Sequence, residues 1–346
     1  MRVGYISHRI LMAVVAAATL LLASCSVHEW PYEEVEPELP TYPITLHLNY
    51  LTELPQYVIV DYEVSRSDNQ IGEVAEPAHD RRYTLEIYKI INEYTSKKEL
   101  VLRHRFAEDE LNAIDKSLTV ELTAGKHSIH VWTDYVEPGT TSDKYYNADN
   151  FSAIVITQHV GNNNHRDAFV GHLEADVTEL TTDLYVDNVR PLAKFNFIAT
   201  DLDEFVKEMT KAQQKEGGSA QIDLNDYRIM FRYSQNMPSE YDHFLDMPVD
   251  IMPSVRWEAN IRTISETEAE IGFDYVFTNN SDFPTPITVE VYDRAGNMLS
   301  AVNDIPVPLK RGELTTIRGR FLTQEASGGI GIDPDFEDPD YIYIVP

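Results

Sequence analysis

The chain has 346 residues, 25% of them charged, with 57 Asp plus Glu against 28 Lys plus Arg and a formal net charge of −29. A body this acidic repels nucleic acid and anionic lipid headgroups, which argues against nucleic acid as a partner. The single cysteine, Cys25, leaves no internal disulfide framework and no cysteine metal site.

The chain opens with Arg2 and Arg9, then an apolar run from Ile10 to Ala23 broken only by Thr19, then Ser24 and Cys25. A basic start, a short apolar stretch and small residues before a cut describe a secretory signal over residues 1–24. The run is shorter than the ~20 residues a spanning helix needs, and no later segment approaches 18 consecutive apolar residues. Leu22-Ala23-Ser24-Cys25 resembles the bacterial lipobox, in which the thiol is acylated and the chain is cut to leave the cysteine first. Several acyl chains on Cys25 give stable anchoring where a single chain holds only marginally. Residues 25–43, with four prolines and five glutamates after the cysteine, read as an acidic tether.

Strand patterns follow, and the twenty tyrosines, many beside Ile, Val or Thr, favour strands throughout. Ile44, Leu46, Leu48 and Tyr50 alternate with polar residues, the period of a half-buried strand. Further strands are expected at 57–64, 83–88, 100–106, 118–122 and 128–135, with a polar loop at 65–80 and a short helix or turn within 107–116. Short strands at this spacing, separated by turn signals such as Ala124-Gly125, argue for an antiparallel sandwich over 44–187. Residues 137–167 are rich in loops, with a short strand candidate at 153–157. A second sandwich is expected over 188–324. It begins with the strand pattern Leu192, Phe195, Phe197 and Ala199. Thr200 and Asp203 form an imperfect capping box before Leu202, Phe205, Val206 and Met209, a helical stripe closed by Gly217-Gly218. Strands return at 227–233, 255–264, 269–278, 287–292 and 313–322, with a hairpin turn at 293–297. Residues 325–346 form a C-terminal tail or donor strand.

Several stretches in order carry a resemblance. The lipobox and tether, Ala-Gly-Lys-His-Ser-Ile-His-Val-Trp-Thr-Asp-Tyr at 124–135, Arg-Asp-Ala-Phe-Val-Gly at 166–171, Val-Arg-Pro-Leu-Ala-Lys-Phe at 189–195 and Gly-Gly-Ile-Gly-Ile-Asp-Pro-Asp-Phe at 328–336 resemble Bacteroidales fimbrillin-type lipoproteins. The likeness is nearest to the fimbrial anchor branch. The resemblance implies two tandem transthyretin-like β-sandwich domains, lipid attachment to the outer membrane with the body exposed at the cell surface, and a role in fimbria assembly or adhesion. It implies fimbrial subunits as partners, with a host or glycan ligand as a further candidate, and no catalytic residues.

In polymerising subunits of that family a cut after an arginine in the N-terminal arm removes the first strand, and a neighbour's C-terminal strand fills the groove by β-strand addition. Here no Lys or Arg lies between Cys25 and Ser65; the first is Arg66. The strand of Ile44, Leu46, Leu48 and Tyr50 is therefore expected to stay in place and the lipid to stay attached. Cleavage at Arg66, Arg81 or Arg82 would remove it. Tyr341, Ile342, Tyr343, Ile344 and Val345 are a donor-strand candidate; an ordinary last strand or a flexible tail is the alternative.

No catalytic motif or cofactor site is found. His127 and His130, an odd number of residues apart on a strand, point to opposite faces and read as surface residues. The acidic run 333–340 could attract Ca²⁺, but its spacing is not that of an EF-hand. Trp132 and Trp257 read as core residues, whereas Trp30 lies in the tether. The expected function is a lipid-anchored fimbrial anchor or assembly component and not an enzyme. The alternative is a cell-surface glycan-binding lipoprotein, which exposed coplanar aromatic rings would favour.

Overall fold

The computed structural model describes residues 39–62, 78–112, 114–215, 217, 221–279 and 284–324, together with the backbone of a strand at 341–344. Cys25, the expected signal, the expected tether up to residue 38, Trp30, Arg66, the 333–340 run and Val345 lie outside these residues. The fold is all-β with one α-helix: two β-sandwiches in series, with the helix in the second. Among the described residues no helix is long and apolar enough to cross a membrane.

The first sandwich is one seven-stranded sheet. Its strands are β1 (Thr41–Tyr50), β3 (Asp80–Asn92), β4 (Lys97–Ala107), β5 (Ser117–Thr123), β6 (Gly125–Val136), β9 (Phe169–Val177) and β10 (Asp183–Val189), in the order β4-β3-β6-β9-β10-β1-β5. Ile44, Leu46 and Leu48 of β1 join Tyr83, Leu85 and Ile87 of β3, Val120 and Leu122 of β5, and Ile129 and Val131 of β6 in one core. Strands from both halves of the sheet share that core, so the sheet folds over it. Its edge strands β4 and β5 face each other across a groove of about 610 Å³ lined by Leu102, Phe106, Leu118 and Val120.

The second sandwich packs two sheets over a larger core. One has the order β16-β17-β11-β20-β2-β21 and contains β2 (Gln56–Asp61), β11 (Leu192–Ala199), β16 (Arg262–Thr263), β17 (Ala269–Phe277), β20 (Leu314–Gly319) and β21 (Tyr341–Ile344). The other, β15-β12-β18-β19, contains β12 (Arg228–Tyr233), β15 (Arg256–Ala259), β18 (Thr285–Tyr292) and β19 (Met298–Val307). Phe195, Phe197 and Ile271 of the first sheet meet Ile229, Phe231, Val289 and Val302 of the second. A small sheet, β14-β13-β8-β7, adds β7 (Tyr146–Asn147), β8 (Ile154–Ile156), β13 (Met237–Asp242) and β14 (Met247–Met252).

Helix α1 (Leu202–Lys215) buries Leu202 and Phe205 and rests Val206 and Met209 on the core, the stripe expected from their spacing. Its start differs from expectation. Asp201 precedes the helix, and its carboxylate holds the chain after β20, accepting from the Leu322 and Thr323 amides at 3.0 and 2.8 Å. Two segments also cross the expected division at 187/188. β2 pairs in parallel with β20, and β8 pairs with β13, so the chain before residue 187 lends strands to the sheets of the part that follows it. The hairpin turn at 293–297 forms as expected, with Gly296 at φ +86° and the Asp293 carboxylate accepting from the Asn297 amide at 2.8 Å.

Candidate functional site

The candidate site is the seat of the first strand. β1 is not an edge. It runs parallel to β10 from Thr45↔Asp183 to Tyr50↔Asn188 and antiparallel to β5 from Thr41↔Thr123 to His47↔Ser117. Ile44, Leu46 and Leu48 are buried, and each contributes about 1.5–3 kcal/mol by leaving water. Tyr50 is half-buried; its hydroxyl bonds the Thr133 hydroxyl at 2.8 Å and its ring meets Phe169 edge-on at 5.4 Å. Burial pushes the Tyr50 phenol well above its ordinary range, so it stays protonated.

The chain leaving β1 is clamped. Buried Arg190 donates to the carbonyls of Thr52 and Glu53 at 2.8 and 2.6 Å, and its Nε donates to the Asp167 carboxylate at 2.8 Å. Its guanidinium also lies 4.9 Å from the Phe169 ring centroid. Arg190 comes from the 189–195 motif and Asp167 from the 166–171 motif, so those two stretches meet at the exit of β1. The neighbouring Arg166 is fully buried and donates to Asp274 at 2.5 Å; Asp274 also accepts from Tyr233 at 2.7 Å and pairs with His159 at 2.8 Å. Arg166 holds the Asp274 carboxyl below its ordinary range against the cost of burial.

Arg82 and Arg81 sit in β3, beside the first core. Arg82 has no exposed side-chain surface. It donates to Asp134 at 2.8 and 2.5 Å and to the Tyr146 carbonyl at 2.9 Å, with Asp143 as a further partner. Arg81 is partly exposed and lies between the Tyr50 and Tyr135 rings, 5.9 and 5.6 Å from their centroids.

The donor-strand candidate pairs within its own chain. Tyr341 to Ile344 run antiparallel to β2, from Asp61↔Tyr341 to Val58↔Ile344, at the edge of the six-stranded sheet.

The histidine expectation needs correction. His127 and His130 do lie on opposite faces, but both are buried, because β6 is central and covered on both sides. His130 stacks on His172 (centroids 4.6 Å apart), lies edge-on to His243 at 5.1 Å and shares Ser128 Oγ with His172. Burial, with His243 and His172 alongside, lowers the His130 pKa to about 2; burial also lowers those of His172 and His243. Neutral rings pack here where three cations would repel. Among the described residues no group of three or more His, Cys, Asp or Glu is disposed to hold a metal ion.

A cleft of about 1390 Å³ opens beside Tyr135, Tyr145, Lys194, Phe273 and Tyr275. Phe273 and Tyr275 are buried and cross at 85°, so they do not form a flat platform for a sugar ring. Trp132 and Trp257 are core residues, as expected.

A sequence model described as a family of unknown function, DUF6562, matches residues 41–345. No curated protein matches the chain. Similar solved structures include a proposed adhesin from Bacteroides thetaiotaomicron, 11% identical over 77% of this chain and 80% of that one, with a TM-score of 0.44. The fimbrial anchor protein Mfa2 from Porphyromonas gingivalis is 12% identical over 76% and 82%, with a TM-score of 0.38. A fimbrial assembly protein from Parabacteroides distasonis is 10% identical over 81% and 92%, with a TM-score of 0.35. A likeness at this level fixes neither activity nor partner.

Proposed function

The chain belongs to the family of unknown function DUF6562, and from that premise we propose that it is a non-enzymatic, lipid-anchored protein of the outer-membrane surface, an anchor or assembly component of a fimbria. Cys25 carries the acyl chains, residues 26–43 hold the body off the membrane, and the first strand remains in place through the protein's working life. Its partners are fimbrial subunits. They engage it by β-strand addition, with Tyr341 to Val345 as the segment available for donation once it leaves β2.

The observation that carries this reading is the seating of β1. The strand is internal, its apolar face is buried, and Arg190 and Asp167 fasten its exit. The arm before it offers an arginine- or lysine-specific protease no site, since Arg66 is the first basic residue after the cysteine. Arg82, which such a protease could otherwise use, is buried in a paired strand. A subunit that keeps both lipid and first strand suits the fixed base of a fibre better than its repeating body.

The test is intact mass and N-terminal status of the protein purified from its native membrane. A lipidated Cys25 start with an uncut arm supports the reading. A start after Arg66, Arg81 or Arg82 rejects it and makes the protein a polymerising stalk or tip subunit.

A further inference from the structure

Strand register places four features at one end of the first sandwich. β1 begins there, with Thr41 opposite Thr123 at the close of β5. Gly125, which opens β6, stands opposite Val177, which closes β9. Lys89 of β3 faces His127, so Ile91 reaches the level of Gly125 and the β3–β4 turn at 93–96 passes beyond it. β10 starts with Asp183 opposite Thr45. The β3–β4, β5–β6 and β9–β10 turns therefore share an end with the point where the chain enters the body at Thr41.

Two of these turns hold large apolar side chains in solvent. Tyr94 is fully exposed and Leu180 is 84% exposed; among the other large apolar side chains described, only Ile114 is more exposed than Leu180. β3 and β9 flank β6, so the two turns are rooted roughly 10 Å apart. Charge is balanced here, although the chain as a whole carries −29. Residues 91–98, 123–127 and 176–182 hold Lys97, Lys98 and Lys126 against Glu93, Asp176 and Glu179, and Lys126 pairs with Glu93 beside Tyr94. The opposite end differs. Ile114 lies there in the 108–116 connection, which leads into Ser117 opposite His47. That connection carries Glu108, Asp109, Glu110 and Asp115 against Lys116 alone.

Both turns are closed by their own hydrogen bonds. The Asn92 carboxamide oxygen accepts from the Thr95 amide at 3.0 Å. The Thr181 amide donates to the Thr178 carbonyl at 3.1 Å, and the Thr178 amide donates to the Thr181 hydroxyl at 3.1 Å. The Leu180 amide donates to the Thr178 hydroxyl at 3.3 Å. Backbone donors bonded within the turn lose little on entering a drier layer. A preformed turn also adds little ordering cost on binding.

We propose that this end of the first sandwich rests on the lipid surface that holds the acyl chains of Cys25, with Tyr94 and Leu180 entering the headgroup layer. The proposal rests on the anchor reading, which brings lipid to the N-terminal side of Thr41. Tyr94 offers an amphipathic ring of the kind enriched at headgroup level, and Leu180 an apolar tip. Balanced charge spares this end the repulsion from anionic headgroups that the acidic 108–116 connection meets. Fifteen residues separate Cys25 from Thr41, and fully extended they reach roughly 50 Å. Lipid and turns are then held at an effective concentration on the order of millimolar, so a contact too weak to recruit free protein still orients anchored protein. The tether sets the farthest the body can stand from the lipid. Only the turn tips touch it, and the strands stand above.

The experiment uses the single cysteine. The whole mature chain is coupled through the Cys25 thiol to a maleimide-bearing lipid in phosphatidylcholine vesicles. Amide exchange is read by mass spectrometry, against the same chain capped with N-ethylmaleimide and mixed with the same vesicles. Expected is at least threefold slower exchange in 92–96 and 178–182 on coupling, with none in the turn around Ile114. Tyr94→Glu and Leu180→Glu together should abolish the slowing. Both positions are exposed, and unchanged thermal melting will show that the fold is intact. Exchange unaltered by coupling, equal slowing around Ile114, or slowing that survives the double substitution would overturn the proposal. Coupling through the thiol works whether or not the native chain is acylated, so a failure here is distinct from a failure of the anchor reading, which intact mass decides.

Discussion

Gly161 lies directly beneath the indole of Trp257: a Cβ at position 161 would come within 2.0 Å of the Trp257 ring. Trp257 cannot retreat, because its other face stacks on Phe231 at 4.2 Å. Gly161→Ala is expected to destabilise the fold by about 1–3 kcal/mol, the usual range for overpacking a core. Urea unfolding measures it, and an unchanged midpoint would show that the ring has room to move.

Asp167→Asn is expected to leave Arg190 buried without its counter-ion and to cost about 3–5 kcal/mol. Arg190→Lys will not restore the wild-type state, because an ammonium cannot reach Asp167 and two carbonyls in one plane. The local signature is faster amide exchange in β1 than in β17, read by mass spectrometry. Equal changes in both strands would mean that the pair stabilises the fold without specially holding β1.

Trypsin added to the native protein is expected to spare the bond after Arg82 until the molecule unfolds. Cleavage there should therefore follow the global unfolding equilibrium as urea is added. Early cleavage at Arg82 under native conditions would show that β3 opens locally.

Acid should loosen the histidine cluster. His130 is neutral in the fold, with its pKa lowered to about 2, and titrates near 6.5 when unfolded. The unfolded chain thus binds the extra proton between those values, and the contribution is complete above about pH 6.5 and lost as pH falls towards 2. Between pH 6.5 and 5 the loss from His130 alone is on the order of 2 kcal/mol. Lys98, Glu174 and Asp246 carry the charges near this cluster. His130→Gln should flatten the difference in unfolding free energy between pH 7 and 5 relative to wild type; an unchanged slope would place the proton elsewhere.

Local patterns were readable from sequence where one residue's environment repeats at a fixed period. The alternation of Ile44, Leu46 and Leu48, the stripe of Leu202, Phe205, Val206 and Met209, and the turn at 293–297 all appear in the fold. Pairing over distance was not readable. Nothing near Arg166 announces Asp274, 108 positions away, and nothing in β2 announces β20. The β13–β14 hairpin escaped notice because Pro238 and Pro248 weaken a strand signal and the apolar residues of β14, unlike the buried Met237 and Tyr241 of β13, face outward. His127 and His130 were placed on the correct faces, but His127 shares the core-facing side of Ile129 and Val131, and the burial of His130 depends on His243 and Phe244, far along the chain. The motifs at 166–171 and 189–195 were visible as letters, and their meeting at the exit of β1 was not.

The seat of β1 also has a mechanical meaning. A pull directed along the strand from Thr41 loads six pairs with β10 and seven with β5 together. They must slide past one another as a set and cannot open one at a time like a zipper. Such a shear geometry resists tension far better than its equilibrium stability alone suggests, so the body is built to bear load through its own N-terminal end.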